Sequence, residues 1–286
     1  MSRQLTHLVA LPIRRQMGID LAAYFTRLGY EASSREPTLA LLRDLQLRHV
    51  SQIAFEGLDP FLGVPVDIDP KAIQDKLVRR RRGGYCHEHN SLFHDVLAAL
   101  GFSVTALGAR VLLTTSEKPG PRALTHRLTL IDLDEGCFIV DVGFGGQSPP
   151  APIRLKPDLE QATAFGTYRI TQNEDTFNLE MKFGGPWEAL YRFNLEPQTQ
   201  ADFEVANWFC STHPRSLFTQ NLVVCRITGE MRANLFNSSL SLRHRDGKVD
   251  HRSIANSTEL DEVLNEVMGL TPPVSAADIW KKLLIK

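Results

Sequence analysis

The chain has 286 residues, of which 43% are hydrophobic and 23% charged, a composition typical of a soluble globular protein that excludes disordered or collagen-like architecture. Its 32 Lys and Arg residues against 33 Asp and Glu give a formal net charge of -1, so no overall field attracts nucleic acid or an anionic membrane. The four cysteines include no Cys-x-x-Cys pair, which argues against a disulfide framework and a zinc ribbon. The longest uncharged stretch that we find, residues 96–109, is shorter than the roughly 20 residues of a membrane-spanning helix. We therefore expect a cytoplasmic protein of about two domains whose partners are small molecules.

Four segments in the first third of the chain carry apolar residues at helical spacing. Asp20 precedes the first segment as a capping residue, and Gly29 follows it as a helix-ending glycine. The fourth segment begins beside Cys86, directly after the pair Gly83-Gly84, so we expect this cysteine at or near a helix start. The predicted helices cover residues 21–28, 39–53, 70–77 and 86–100.

From residue 102 the pattern changes to short runs of β-branched and aromatic residues separated by turn sequences, which predicts an antiparallel sheet or barrel. One such turn sequence is residues 117–121 and another is residues 134–136. The predicted strands are 104–106, 110–113, 128–131, 138–140, 168–171, 177–183, 189–193, 222–227 and 239–243. Three further helices are predicted at 202–209, 259–268 and 276–284.

Three polar residues stand at the ends of these predicted elements. Cys86 begins a helix, where the positive end of the helix dipole and a neighbouring imidazolium both favour a thiolate. His126 begins one strand and Asp141 follows the next, so a hairpin would let the carboxylate orient the imidazole ring. A thiolate, a base and an orienting carboxylate are the parts needed to attack a carbonyl carbon.

Each of these residues also has a common structural interpretation. A buried cysteine, a hydrogen-bonded core histidine and a turn aspartate are each more frequent than their catalytic counterparts. Together, and with two glycines that allow close backbone approach before Cys86, they favour catalysis. The other three cysteines lie in apolar surroundings and are interpreted as structural: Cys137, Cys210 and Cys225.

Residues 82–90, Arg-Gly-Gly-Tyr-Cys-His-Glu-His-Asn, resemble the R-G-G-x-C-x-E-x-N segment of the arylamine N-acetyltransferases. Three further stretches agree in order, at residues 54–59, 125–128 and 140–147, and the likeness extends downstream to Trp208 and residues 211–214. The resemblance implies that Cys86 is the nucleophile, His126 the base and Asp141 the orienting carboxylate.

The same resemblance implies an α+β fold in three regions, with a Cys-His-Asp triad like that of cysteine proteases. Residues 1–107 would form an N-terminal helical bundle that carries the nucleophile. Residues 108–210 would form a central antiparallel β-barrel that carries the histidine and the aspartate, and residues 211–286 a C-terminal α/β lid.

The resemblance also implies binding residues. The aromatic side chains implied to line the acceptor pocket are Phe55, Tyr85, Phe144 and Phe218. The residues implied to contact acetyl-CoA are Thr125, Gly143, Gly145 and Gly146. This chain departs from the usual family pattern at Gly57, His87 and His89, which bears on acceptor preference more than on the reaction.

Two other interpretations of these residues are weaker. His87-Glu88-His89 suggests a metal site, but the H-E-x-x-H signature needs histidine where the chain has Ser91, so we predict no metal. The arginines at 79–82 suggest phosphate or nucleic-acid binding, yet four arginines in a nearly neutral chain are more often solvated or paired with acidic neighbours.

The sequence therefore predicts an arylamine N-acetyltransferase that works by a ping-pong mechanism. The Cys86 thiolate would take acetyl from acetyl-CoA and pass it to an arylamine, hydrazine or similar nitrogen, with backbone N–H groups near Cys86 stabilising the oxyanion. We expect His87 and His89 to be dispensable for acyl transfer. The alternatives are a cysteine hydrolase, a transglutaminase-like enzyme or an amide synthase with the same triad, or a non-catalytic binding module.

Overall fold

The structure is a computed structural model that describes residues 18–31, 35–113 and 122–285. The predicted turn at residues 117–121 lies outside the described residues. All four predicted helices of the first third are present, and the capping residues that predicted them are in place. The Asp20 side chain accepts the Ala23 N–H, and Gly29 ends the first helix in the left-handed conformation at φ 59°. The helices are α1 (Leu21–Leu28), α2 (Leu39–Gln52), α3 (Leu58–Leu62), α4 (Pro70–Gln74), α5 (Cys86–Ala99), α6 (Gln200–Thr212), α7 (Leu217–Gln220), α8 (Ser257–Glu262) and α9 (Ala276–Ile285).

Two of these helices continue as single π-helical turns. Asp75–Arg79 extends α4, and Val263–Val267 extends α8. The predicted helices at 70–77 and 259–268 therefore each correspond to an α-helical and a π-helical part. No helix among the described residues is long and apolar enough to cross a membrane.

An eight-stranded antiparallel sheet forms the middle of the molecule, with strand order β5-β4-β3-β2-β9-β8-β7-β6. Its strands are β2 (Ser103–Val111), β3 (His126–Leu133), β4 (Gly136–Val140), β5 (Ile153–Arg154), β6 (Gln161–Thr163), β7 (Gly166–Asn173), β8 (Thr176–Lys182) and β9 (Glu188–Pro197). The two predicted segments 104–106 and 110–113 are parts of one strand, β2, up to Val111.

The two edges of this sheet approach each other, so the sheet is nearly a closed barrel. Gln161, in the edge strand β6, accepts the backbone N–H of Arg154 in the opposite edge strand through its side-chain oxygen at 2.8 Å. Pro157 also forms a parallel bridge to Ile170 in β7. The predicted antiparallel barrel is therefore confirmed.

A second sheet of five strands has the order β1-β10-β11-β12-β13. Its strands are β1 (Phe55–Glu56), β10 (Val223–Ile227), β11 (Met231–Phe236), β12 (Ser239–His244) and β13 (Val249–Ser253). Its edge strand β1 comes from the first third of the chain, where Phe55 pairs with Cys225. The N-terminal helices and the C-terminal sheet are thus joined by backbone pairing, next to the segment that leads to α5.

The region boundaries proposed from the sequence fall inside elements of the structure. β2 begins before residue 108, and α6 continues past residue 210. The division into three regions, and the lid role of the third, remain predictions. The buried apolar residues form three core clusters. One lies around α1, α2 and α5, one lies inside the barrel, and one lies between the second sheet and the C-terminal helices.

Candidate active site

Cys86 is the first residue of α5 and only 5% of its surface is exposed. The backbone just before it is held very close to other groups. A Cβ atom on Gly83 would lie 2.1 Å from the Ala54 carbonyl oxygen, and one on Gly84 would lie 2.7 Å from the Glu88 carboxylate. Glu88 in turn accepts the Tyr85 N–H at 3.0 Å, which caps the helix start. The glycine pair therefore permits the close approach that the sequence predicted.

A buried ionic cluster surrounds this helix start. Lys76 Nζ contacts Glu88 Oε1 at 2.7 Å and Asp59 Oδ2 at 2.6 Å. Arg82 Nη2 contacts Glu56 Oε1 at 2.7 Å and Asp59 Oδ1 at 2.8 Å. Burial alone would raise the pKa of Asp59, but Lys76 and Arg82 lower it below its ordinary value. Of the arginines at 79–82, Arg82 is therefore paired with acidic neighbours, as one of the two interpretations expected. These ion pairs anchor the segment before Cys86.

His126 and Asp141 lie at the same end of the hairpin formed by β3 and β4. The last paired residues at that end are Thr129 and Val140, and both functional residues follow just beyond them. His126 Nε2 and Asp141 Oδ2 are 2.7 Å apart, and both side chains are buried. Since Nε2 is occupied by the carboxylate, Nδ1 is the ring nitrogen that remains for a thiol.

The Asp141 carboxylate is held by further donors. Its Oδ1 accepts from Asn90 Nδ2 at 2.8 Å and from the Gly143 N–H at 2.9 Å. Burial would raise the pKa of Asp141, but His126, Asn90 and Gly143 together lower it. The carboxylate is therefore ionised and able to stabilise an imidazolium.

Cys86 lies directly against this hairpin. Its Sγ is 3.8 Å from the carbonyl oxygen of Thr125, the residue before His126. A Cβ on Gly143 would lie 2.9 Å from the Cys86 Cα, which shows how tightly the segment after Asp141 packs on the helix start. The structure thus brings the three predicted residues to one place, where α5 meets the end of the hairpin.

Asn90 connects these elements, and the sequence analysis gave it no role. Asn90 lies one turn after Cys86 on α5, and its side-chain oxygen accepts the Val142 N–H at 3.0 Å. It therefore binds both the Asp141 carboxylate and the backbone that follows. The helical spacing of four residues from Cys86 was the available signal.

The surroundings of Cys86 oppose ionisation of its thiol. Burial raises the pKa of Cys86 well above its ordinary value, and Cys210 and Asp141 raise it further, while the His87 backbone N–H lowers it. These surroundings favour the neutral thiol over the thiolate.

Tyr191 of β9 is a neighbour of the His126–Asp141 pair, and nothing in the sequence indicated its place there. Its ring lies 5.1 Å from the His126 ring and 5.0 Å from the Phe144 ring, measured between centroids. Burial and the adjacent Asp141 raise the pKa of Tyr191. Its place in a predicted apolar strand gave no functional signal.

The four aromatic residues implied to line the acceptor pocket fall into two groups. Phe218 packs on Phe55 at 6.0 Å and on Tyr85 at 5.2 Å between ring centroids. Phe144 instead packs edge-on against His126 at 5.0 Å. The backbone of Gly145 links the groups, because a Cβ there would lie 3.6 Å from the Phe55 ring.

The glycines implied to contact acetyl-CoA are required by packing within the protein. Gly145 has φ 67°, which favours glycine, and a Cβ on Gly146 would overlap the Asn234 side chain. Thr125 offers its carbonyl oxygen to the thiols of both Cys86 and Cys210. Their role toward the coenzyme remains a prediction. A cavity of about 290 Å³ opens beside Gly146, and Arg232 and Arg243 are among the residues that line it.

The two histidines that flank Glu88 are both buried. His89 is hydrogen bonded on both ring nitrogens, to His49 and to the Ala54 carbonyl. His87 has no hydrogen-bond partner within the described residues. Among all the residues that the structure describes, no group of three or more His, Cys, Asp or Glu residues has an arrangement that could hold a metal ion.

Comparison with known proteins places this chain in a class of enzymes. A family model described as N-acetyltransferase matches residues 38–276. The arylamine N-acetyltransferase of Mycobacterium tuberculosis H37Rv is 40% identical over 269 residues, which are 93% of each chain. The enzyme of the same name from Escherichia coli K12 is 38% identical over 248 residues, which are 86% of this chain and 87% of the other.

Solved structures agree with this class. The arylamine N-acetyltransferase of M. tuberculosis superimposes with a TM-score of 0.86 at 38% identity, covering 92% of this chain and 99% of the other. The Mycobacterium marinum enzyme in complex with CoA gives a TM-score of 0.85 at 38% identity, covering 92% and 97%. The fold is that of an acyltransferase, and the resemblance noted in the sequence is confirmed. The chain belongs to the arylamine N-acetyltransferase family, whose acetyl donor is acetyl-CoA.

Proposed function

We propose that this protein transfers acetyl from acetyl-CoA to the nitrogen of an arylamine, arylhydrazine or similar acceptor, through an acetyl group carried on Cys86. The observation that carries the proposal is the meeting of a buried thiol at the start of α5 with a hydrogen-bonded His126–Asp141 pair at the end of the adjacent hairpin. This is the arrangement of nucleophile, base and orienting carboxylate that acyl transfer through a covalent intermediate requires.

In the first half-reaction, His126 accepts the Cys86 proton as the sulfur attacks the thioester carbonyl of acetyl-CoA. The C–S bond to coenzyme A then breaks, and the departing thiolate takes the proton from the imidazolium. Asp141 stabilises the imidazolium while it exists, because the carboxylate lies 2.7 Å from Nε2. Because burial raises the pKa of the Cys86 thiol, a base that accepts its proton assists the attack.

The negative charge that develops on the carbonyl oxygen needs donors. Backbone N–H groups at the first turn of α5 are suited to this role, since a helix start leaves such groups without partners inside the helix. The Tyr85 N–H donates to Glu88, and the N–H groups of Glu88 and His89 donate to the Tyr85 carbonyl, which leaves those of Cys86 and His87 for this role.

In the second half-reaction, the acceptor nitrogen attacks the acetyl-cysteine carbonyl and His126 receives the proton that this nitrogen loses. The C–S bond to Cys86 then breaks, and the Cys86 thiolate takes the proton back from the imidazolium, which restores the starting enzyme. Phe55, Tyr85 and Phe218 form an aromatic wall on one side of the nucleophile, and flat aromatic amines suit such a wall. The burial of Cys86 favours transfer to an amine over hydrolysis, because little water reaches the acetyl group.

Steady-state kinetics test this mechanism. Initial rates measured against acetyl-CoA at several fixed aniline concentrations are expected to give parallel double-reciprocal lines, the pattern of a ping-pong reaction. Intersecting lines would contradict a free acetyl-enzyme. Continued release of coenzyme A over many turnovers without an amine present would instead favour the hydrolase alternative, since acetylation of Cys86 alone releases only one coenzyme A per enzyme.

A further inference from the structure

Three buried side chains from three different helices form a continuous hydrogen-bonded chain that ends beside the active site. Tyr24 Oη of α1 and His49 Nδ1 of α2 are 2.8 Å apart. His49 Nε2 and His89 Nδ1 of α5 are also 2.8 Å apart. His89 Nε2 then lies 3.1 Å from the carbonyl oxygen of Ala54, the residue before β1.

The direction of every bond in this chain follows from its last acceptor. A carbonyl oxygen only accepts, so His89 Nε2 carries a hydrogen and donates it to Ala54. Burial lowers the pKa of both histidines, which favours neutral rings. In a neutral His89 ring, Nδ1 accepts from His49 Nε2, and His49 Nδ1 then accepts the hydrogen of the Tyr24 hydroxyl. Each ring thus has one donor and one acceptor, and both are used.

His89 also packs against the ring of Phe55, the residue that follows Ala54. Its imidazole stacks on the Phe55 ring, with an angle of 15° between the planes and 6.2 Å between centroids. His89 thus fixes the backbone carbonyl on one side of Phe55 and the aromatic face of Phe55 itself.

Phe55 lies close to the nucleophile. The segment that contains it pairs with Gly84, two residues before Cys86, through the Glu56 N–H and the Gly84 carbonyl at 2.7 Å. Its ring meets Phe218 and the backbone of Gly145. A shift of Phe55 would therefore change the aromatic wall beside the acetyl group.

We propose that His89 is a positioning residue for the acceptor half-reaction, and that the Tyr24–His49–His89 chain makes the Phe55 wall rigid enough to select flat aromatic amines. This inference rests on the proposed function. The chain ends on a carbonyl oxygen rather than on Cys86 or His126, so it holds a surface and moves no proton. The expectation that His89 is dispensable for acyl transfer is thereby restricted to transfer from acetyl-CoA to Cys86.

The test measures the two half-reactions separately in the parent and in three variants. His89→Leu keeps much of the side-chain volume but removes the donor to Ala54 and the acceptor for His49. His89→Gln retains an amide donor and acceptor. His94→Gln is the matched control, because His94 lies on the same helix and contacts Thr129 rather than Phe55.

Acetyl-enzyme is formed first, and its discharge is then followed against the concentration of aniline or of hydrazine. For His89→Leu we expect unchanged acetylation, a half-saturating aniline concentration raised about tenfold, and discharge by hydrazine within about twofold of the parent, since hydrazine is too small to use the wall. His89→Gln is expected to restore aniline saturation to within about threefold, and His94→Gln to match the parent.

Unchanged aniline saturation in His89→Leu would overturn the inference, and so would an equal loss with aniline and hydrazine. If His89→Leu does not fold, Tyr24→Phe replaces it. That variant removes only the terminal hydroxyl, and we expect it to raise the half-saturating aniline concentration about twofold to threefold with no change for hydrazine. Aniline saturation equal to that of the parent in Tyr24→Phe would likewise contradict the proposal. A parent that forms no acetyl-enzyme would contradict the proposed function itself, which is a different result.

Discussion

Cys86, the proposed nucleophile, is a thiol whose burial raises its pKa, so in the proposed mechanism its reactivity depends on the residues that receive its proton. His126 can do so only while its ring is held with Nε2 toward Asp141. Asp141 keeps this orientation because Asn90 and the Gly143 N–H fix its other oxygen. In the proposed mechanism the reactivity of the Cys86 thiol therefore depends on a carboxylate that acts only through His126.

Replacing Asp141 with asparagine tests this dependence. The amide would keep the volume but could not stabilise an imidazolium, so we expect the rate of Cys86 acetylation to fall by about 10³-fold to 10⁴-fold. Stopped-flow release of coenzyme A measures this rate. Asp95→Asn is the control, because Asp95 is a buried carboxylate on α5 that forms no ion pair with His126. An Asp141→Asn rate within a few-fold of the parent would show that the carboxylate only supports the fold.

The start of α5 is the element that positions the nucleophile, and it depends on close backbone packing. Gly83 touches the Ala54 carbonyl, and the ionic cluster of Lys76 and Arg82 holds the same segment against β1. Because the obstacle to a side chain at Gly83 is a backbone atom, it cannot rotate away.

Gly83→Ala is therefore expected to lower the free energy of unfolding by about 2 kcal/mol and to reduce acetylation of Cys86 at the same time. Urea denaturation and the acetylation rate are the two measurements. Gly185→Ala provides a matched control, since a Cβ at Gly185 meets nothing within 4 Å and should change stability by no more than about 0.5 kcal/mol. Equal stability of the two variants would show that the helix start tolerates displacement.

Elements with regular apolar spacing were predictable from the sequence, and elements whose apolar pattern is interrupted or that are largely exposed were not. The strand β11 was missed because Arg232, which is buried, interrupts its apolar pattern and binds the Gly146 carbonyl and the Tyr168 hydroxyl. Helix α3 was missed because Pro60 lies within it. The edge strand β13 was missed because it is largely exposed and polar.

At the candidate active site, some features were likewise predictable from the local sequence and others were not. The three triad residues stand at ends of predicted elements, so their approximate positions followed from the local sequence. Tyr191 and the Tyr24–His49–His89 chain depend on contacts between elements far apart in sequence, which periodicity and spacing do not contain.

Several histidines are buried in the interior of the molecule, and their burial determines how the free energy of unfolding changes at acid pH. Burial lowers the pKa of His87 to about 3 and that of His89 to about 4, and it lowers the pKa of His49 as well. The charged groups that face His89 and oppose its protonation are Lys76 and Arg27.

Since free histidine titrates near about pH 6.5, the unfolded chain binds more protons than the folded chain below that pH. Burial raises the pKa of Asp95 to about 6 and also raises that of Glu88, which acts in the opposite direction but involves two groups against four histidines, because burial lowers the pKa of His94 as well. We therefore expect the free energy of unfolding to be highest above about pH 6.5 and to fall by several kcal/mol between about pH 6.5 and about pH 4.

Urea denaturation at a series of pH values measures this dependence. His89→Gln, which removes one of these histidines, should reduce the slope between about pH 6.5 and about pH 4, whereas His251→Gln should not, because His251 is exposed. A free energy of unfolding that does not change over this range would contradict the neutral-histidine account.

The most direct test of the central claim is the intact mass of the purified protein after it is mixed with acetyl-CoA, and again after an arylamine is added. We expect the mass to rise by one acetyl group, the gain to be absent in Cys86→Ala, and the amine to discharge it faster than water does. An acetyl group that still forms in Cys86→Ala, or a parent that gains no mass, would contradict acetyl transfer through Cys86.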